Sequence, residues 1–163
     1  MAQRIAKFEK VSLDQFKETG IPQYKNVYEN IKLPVRATKG SAGYDFFTPV
    51  PIRLKSGETA KIPTGIRVQM HDDWVLKCYP RSGLGFKYRV QLDNTVGIID
   101  SDYFYSDNEG HIFIKITNDS KDGKILTLKP GDGFAQGIFV EYGITVDDEA
   151  NATRNGGFGS TGA

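Results

Sequence analysis

The sequence predicts an all-β domain of sandwich, jelly-roll or barrel type, preceded by one short helix and followed by a glycine-rich arm. Two patterns carry the β prediction. Short apolar runs recur between turn signals such as Lys55-Ser56-Gly57-Glu58, Lys121-Asp122-Gly123-Lys124 and Lys129-Pro130-Gly131-Asp132-Gly133. Within one run, Ile66, Val68 and Met70 alternate with Arg67 and Gln69, the period-two signature of a half-buried strand. Many short strands with closely spaced turns close into a sandwich or barrel more readily than into layers of helix and sheet.

In chain order, Ile5 to Val11 reads as a strand. Ser12-Leu13-Asp14-Gln15 has the Ser-x-x-Gln form of a helix capping box, Leu13 and Phe16 share an apolar face, and Gly20 supplies a stop. These elements make residues 1–30 an N-terminal extension. Residues 31–150 hold the main strand-like runs, among them Ala60-Lys61-Ile62, Gly65 to Met70, Trp74 to Tyr79 and Ile112 to Ile116. Residues 151–163 carry little that could build a core and are expected to be mobile in isolation. They are either a frayed tail or an arm that folds over a ligand, since Arg154 and Phe158 sit among glycines and hydroxyls.

Composition narrows the function. A chain of 163 residues with 39% apolar and 25% charged residues suits one soluble globular domain. A formal net charge of +1 argues against a nucleic-acid binder with a broad basic face, though not against a small anionic substrate. The single cysteine, Cys78, rules out an intrachain disulfide and sits in an apolar run, where a small buried hydrophobe is expected. No segment has the apolar length of a signal peptide or of a membrane span, about 20 residues, so a soluble, intracellular (cytoplasmic) protein is expected.

Familiar catalytic templates fail. Neither a Gly-x-x-x-x-Gly-Lys-Ser/Thr phosphate loop nor a Gly-x-Gly-x-x-Gly turn is present. The two histidines, His71 and His111, lack metal-ligand spacing and read as surface or loop residues. What remains is a set of polar islands. Ala42-Gly43-Tyr44-Asp45-Phe46 places a carboxylate between aromatics. Pro80-Arg81-Ser82-Gly83-Leu84-Gly85 joins a guanidinium and a hydroxyl to permissive backbone, which suits phosphate oxygens; a tight turn with a surface Arg is the alternative. In Gly97-Ile98-Ile99-Asp100-Ser101-Asp102-Tyr103, two acids two apart on a strand would share a face, or be solvated turn residues.

Together these islands resemble the trimeric dUTP diphosphatases, whose five ordered motifs all occur here between Ala42 and Gly162. The remaining members are Asn94 with Gly97 to Tyr103, Gly131-Asp132-Gly133-Phe134-Ala135-Gln136, and Gly156-Gly157-Phe158-Gly159-Ser160-Thr161-Gly162. The likeness covers the chain from about residue 31 onward. It implies a distorted jelly-roll or β-barrel subunit in a homotrimer, with Mg2+ as cofactor and dUTP cleaved to dUMP and pyrophosphate, limiting uracil in DNA and supplying dUMP for thymidylate synthesis.

By the same resemblance Asp100 is the general base for water attack on the α-phosphorus. Arg81, Ser82 and Gly83 bind phosphate oxygens. Asp45 and Gln136 hold the water shell of Mg2+, with no direct protein ligand expected. A β-hairpin over about Asn94 to Tyr103, using Asn94, Gly97 and Ile99, meets the uracil edge, and Tyr103 packs on the deoxyribose. Phe158 stacks on the base, while Arg154, Gly159, Ser160 and Thr161 bring the arm over the β- and γ-phosphates. Asp102 is given no catalytic role, a turn or trimer-axis hydrogen bond being as good a reading.

Two departures from the family pattern stand out. Six residues, Phe104-Tyr105-Ser106-Asp107-Asn108-Glu109, separate Tyr103 from Gly110, where the pattern has one; turn chemistry there favours a harmless surface excursion over a metal or partner contact or a change in specificity. Only Asn155 separates Arg154 from Gly156, where the pattern commonly has two residues. Three rival readings are weighed against the resemblance. A dCTP deaminase would need a Glu in Ile112 to Ile116, which has none. A nucleotide-gated module regulating a partner protein would not depend on Asp100. A purely structural oligomer would leave the arm unexplained.

Overall fold

Helical propensity is weak and strand propensity frequent along the chain, and the computed structural model, which describes residues 1–157, is built accordingly from twelve short strands and three short helices. The N-terminal part runs β1 (Ala6–Lys10), α1 (Leu13–Lys17), α2 (Tyr24–Glu29), β2 (Val35–Arg36), β3 (Tyr44–Phe47), β4 (Ile52–Leu54), β5 (Thr59–Pro63), β6 (Ile66–Met70) and β7 (Trp74–Pro80). Next come α3 (Ser82–Tyr88), β8 (Val90–Leu92), β9 (Gly97–Ile99) and a 3-10 turn over Ser101–Tyr105. The last strands are β10 (Phe113–Asn118), β11 (Leu126–Leu128) and β12 (Gly133–Glu141).

The strands form a five-stranded sheet ordered β2-β3-β12-β7-β9, a three-stranded sheet β5-β10-β8, and the pairs β1-β6 and β11-β4. All these pairings are antiparallel. The late strand β12 lies between the early β3 and β7, so the topology is the crossed-over kind of a jelly roll rather than a meander.

The alternation in β6 does what its period dictates: Ile66, Val68 and Met70 are buried beneath Arg67 and Gln69. They join Phe46, Ile62, Leu76, Ile116 and Phe134 in one core. Cys78 is buried there, and burial pushes its thiol up to about 12, so it packs as a hydrophobe and stays unreactive. In β10, Asn118 is buried but satisfied: Nδ2 donates to the carbonyls of Leu54 and Lys124, and Oδ1 accepts from Ser120 N.

Residues 1–30 share this core. β1 pairs with β6 from Ala6 opposite Met70 to Lys10 opposite Ile66, and Val11 and Phe16 are fully buried, side chains worth about 2 kcal/mol each in apolar area. The capping box is half realised. Ser12 Oγ accepts from Gln15 N at 3.1 Å, but the backbone N–H of Ser12 donates to Glu109 rather than to Gln15.

The structure corrects four expectations. A second N-terminal helix, α2, exists; its Tyr24, Val27 and Tyr28 have helical spacing, but Gln23 starts it in the left-handed region, φ 55°, without a side-chain cap. The segment after Arg81 is a helix, α3, despite Gly83 and Gly85 in its interior. No ladder joins β8 to β9: β8 pairs with β10 and β9 with β7, so Asp93–Val96 crosses between sheets instead of closing a hairpin. His111 lies in a loop but is completely buried. Among the described residues, no helix is long and apolar enough to cross a membrane.

Candidate active site

Three separated segments of the chain converge on one cavity of about 350 Å³, lined by Ser41, Gly43, Asp45, Arg81, Ser82 and Gln136, with Ala37, Ala42 and Ile138. Strand pairing builds it. Gln136 of β12 lies opposite Asp45 of β3 on one side and Tyr79 of β7 on the other. A β-bulge between Gly133 and Ala135 lets Phe134 and Ala135 both point into the core, which returns Gln136 to the outer face beside Asp45. Gln136 Nε2 donates to the carbonyl of Pro80 at 3.2 Å, where β7 hands over to α3.

Arg81 stands at the N-cap of α3, and its Nε lies 3.3 Å from Asp45 Oδ1. Ser82 and Gly83 open the helix and are exposed. Two glycines make this packing possible, a role the sequence reading missed although both lie inside quoted motifs. A Cβ on Gly43 would lie 2.4 Å from Gln136 Oε1, and one on Gly133 would lie 2.6 Å from Arg81 Nη1.

A second cavity, also of about 350 Å³, is lined by Asn94, Gly97 and Ile99 together with Lys61, Cys78, Leu92, Asp93, Ile112, Phe113, Ile114 and Lys115. Ile99 is buried in the core as well as lining this cavity, and Gly97 packs against Cys78, whose Cβ would be 3.1 Å from an added one. Asp93 answers Lys115 at 3.1 Å and Thr117 Oγ1 at 2.5 Å. The two cavities share no lining residue.

The third cluster is carboxylate-rich. Asp100 caps the 3-10 turn, and Asp102 lies within it, so the two acids are not alternate residues of a strand. They are nonetheless brought together, by Arg154: Nη2 lies 2.7 Å from Asp100 Oδ2, and Nε lies 2.7 Å from Asp102 Oδ1. Residues 154–157 thus lie back against the domain, where a Cβ on Gly157 would lie 2.5 Å from Tyr103 Cε1. Tyr103 is 3% exposed, and burial raises its phenol pKa. Phe158, Gly159, Ser160 and Thr161 lie outside the described residues.

No group of three or more His, Cys, Asp or Glu side chains is placed to hold a metal ion among the described residues. Asp45 and Gln136 do present a carboxylate and an amide, both hard oxygen donors, to the first cavity. That set fits a hydrated Mg2+ carried on a polyphosphate better than a caged ion.

A dUTPase family model matches residues 29–162. The chain belongs to the dUTPase family. Among dUTPase relatives, the deoxyuridine 5'-triphosphate nucleotidohydrolase of Lactococcus lactis subsp. lactis is 38% identical over 146 residues, spanning 88% of this chain and 95% of that protein. The protein of the same description from Sodalis glossinidius is 36% identical, with 85% and 92% covered. The crystal structure of the dUTPase from Streptococcus mutans superposes with a TM-score of 0.66 at 31% identity, covering 86% of this chain and 98% of that one.

Proposed function

We propose that this dUTPase-family chain hydrolyses dUTP to dUMP and pyrophosphate. The observation that carries the proposal is the meeting of Asp45, Arg81, Ser82 and Gln136, from three separate segments, in one cavity with the size and donors for a phosphate chain. Arg81 offers a planar pair of N–H groups, Ser82 a hydroxyl, and Gly83 an amide with no side chain in the way. Mg2+ bound on the triphosphate would neutralise its charge and make the α-phosphorus more electrophilic, with Asp45 and Gln136 holding the outer water shell.

Asp100 orients a water and takes its proton as the oxygen attacks the α-phosphorus; the bond to the bridging oxygen breaks and pyrophosphate leaves. Asn94 and the backbone of Gly97 and Ile99 pair with the uracil edge. Cytosine reverses the donor–acceptor order at positions 3 and 4 and would leave buried groups unpaired. Tyr103 packs on the deoxyribose, where a 2′-OH would not fit.

The family resemblance implies that each site is assembled between subunits of a homotrimer, a reading supported by the placement of base-binding and phosphate-binding residues in separate cavities of one chain. In that assembly the arm lays Phe158 over the base, with Gly159 giving the chain room to cross it and Ser160 and Thr161 reaching the β- and γ-phosphates. The ion pairs of Arg154 with Asp100 and Asp102 support a resting role for the arm. Triphosphate oxygens offer the guanidinium stronger acceptors, and its transfer to them frees Asp100 for the water. Arg154→Ala is accordingly expected to keep the fold and lower kcat/KM for dUTP by roughly 10- to 100-fold, the worth of a charge-assisted contact. A parent-like rate in steady-state assays would remove Arg154 from the phosphate site.

The activity itself is tested by incubating the purified protein with dUTP, dCTP, dTTP and UTP in magnesium buffer and identifying products chromatographically. The expected result is dUMP and pyrophosphate from dUTP alone. Ammonia release from dCTP would make the chain a deaminase, and a folded protein that hydrolyses nothing would favour a regulatory binding role.

A further inference from the structure

The residues between Tyr103 and Gly110 are fastened at three points. Phe104 gives its carbonyl to Arg67 Nη2 at 2.9 Å, and the guanidinium of Arg67 lies 3.6 Å from the centre of its ring. Asn108 donates from Nδ2 to Tyr103 Oη at 2.9 Å and accepts at Oδ1 from Gly110 N at 3.0 Å. Glu109 accepts from Ser12 N at 2.8 Å and from Ser12 Oγ at 2.5 Å, closing a link to the helix cap of the N-terminal extension.

The backbone is bent to make these contacts. Glu109 holds a left-handed φ of 60°, an uncommon state for a side-chain-bearing residue, and Gly110 follows at φ 72°. A Cβ at Gly110 would lie 2.7 Å from both Phe104 Cα and Tyr103 O, so the chain reverses tightly against the residue it serves. Tyr105 and Asp107 of the segment are exposed, but its other residues fasten it as a bracket.

Its consequence falls on Tyr103. The phenol donates to the carbonyl of His111 at 2.5 Å and accepts from Asn108, so both of its hydrogen-bonding capacities are used and the ring is held in one orientation. We infer that Asn108 is a positioning residue that sets the Tyr103 ring for selection of deoxyribose over ribose. Glu109 braces it by its bonds to Ser12, which precedes the matched family span of 29–162. The inference rests on the reading of Tyr103 as the surface that packs on the sugar. Asn108 touches no substrate. Its effect is transmitted by the one bond to Tyr103 Oη.

The test is a double-substitution cycle on the full chain, with the ratio of kcat/KM for dUTP to that for UTP as the readout. Asn108→Asp keeps an acceptor for Gly110 N and replaces the donor facing Tyr103 Oη with a carboxylate oxygen, which the phenol can bond only by giving up His111 O. Tyr103→Phe keeps the ring and removes the hydroxyl. Each is expected to lower the dUTP/UTP ratio by about fivefold or more, and the double variant to fall no further than Tyr103→Phe alone, since loss of the hydroxyl, which also ends its bond to His111 O, already removes the bond from Asn108. Thermal melting of each variant separates this from general loss of stability, which would lower both rates together and leave the ratio unchanged. Tyr103→Ala distinguishes the two levels of the argument. If it collapses the ratio while Asn108→Asp and Tyr103→Phe leave it at the parent value, the positioning role of Asn108 is overturned and the sugar-packing role of Tyr103 stands. If Tyr103→Ala folds and keeps the parent ratio, the reading of Tyr103 fails and the inference with it. If it does not fold, the cycle alone decides: additive losses, or no loss, overturn the inference.

Discussion

Asp100→Asn is expected to lower kcat for dUTP by roughly 10²–10⁴-fold while changing KM by no more than a few-fold. Asparagine has nearly the same shape as aspartate and still fits the cap of the 3-10 turn, where Tyr103 N donates to the backbone carbonyl of residue 100 and not to its side chain. What it lacks is the ability to take a proton from water. Arg154 would lose its contact to Asp100 Oδ2 but keep Asp102, so the arm retains an anchor. Single-turnover assays should show the loss in the chemical step, with nucleotide binding intact by calorimetry. Parent-like turnover in a folded Asp100→Asn protein would remove the base from the mechanism and direct attention to Asp102, the other carboxylate within reach of Arg154.

The contrast between Asp100 and Asp102 shows what the sequence could and could not carry. Their residue types and their place after a short buried strand were visible; their geometry was not, because the strand stops at Ile99 and a 3-10 turn begins. Local rules worked where the cause is local. The alternation of β6 and the Ser12 cap of α1 depend on neighbours within a few residues, and both are realised.

Long-range causes were invisible. The burial of His111 follows from Phe16 and Gly65 closing over it, far away in the chain. Glu109 looked like part of a polar turn, yet it completes a helix cap 97 residues away. The glycines of the quoted motifs were legible as permissive backbone, but their service to Gln136 and Arg81 required knowing that β3, β7 and β12 lie side by side. Helix α3 was missed for the opposite reason: its two glycines oppose helix locally, and Gly85 N and Arg89 N are nonetheless drawn into i to i−4 bonds with Arg81 O and Gly85 O.

His111 yields the largest expected effect on stability. Its side chain is fully buried, and Nε2 accepts from Gly65 N at 2.9 Å, so the neutral ring must carry its proton on Nδ1. Nδ1 has no hydrogen-bond partner among the described residues, and Phe113 lies 4.3 Å away, centre to centre. Burial is the main force that pushes the pKa down to about 4 from 6.5; Glu109 opposes the shift and Lys61 adds to it. Protonation would also break the bond from Gly65, since a protonated Nε2 cannot accept.

The sign follows from which state binds the proton. Between pH 6.5 and about 4 the unfolded chain takes up a proton at this ring and the folded chain does not, so stability rises with pH through that window. The stabilisation is therefore complete above pH 6.5 and is progressively lost as the pH falls toward 4. A difference of this size corresponds to about 3 kcal/mol over the whole window, and to about 2 kcal/mol between neutral pH and pH 5. His111→Gln keeps an acceptor for Gly65 N but has no group that titrates. Denaturant unfolding at fixed protein concentration between pH 7.5 and pH 5, where Glu109 stays ionised, should show the parent losing about 2 kcal/mol more than the variant. A constant offset between the two proteins reflects only the fit of the new side chain; parallel pH profiles would mean that His111 takes up its proton in the folded protein as readily as in the unfolded one.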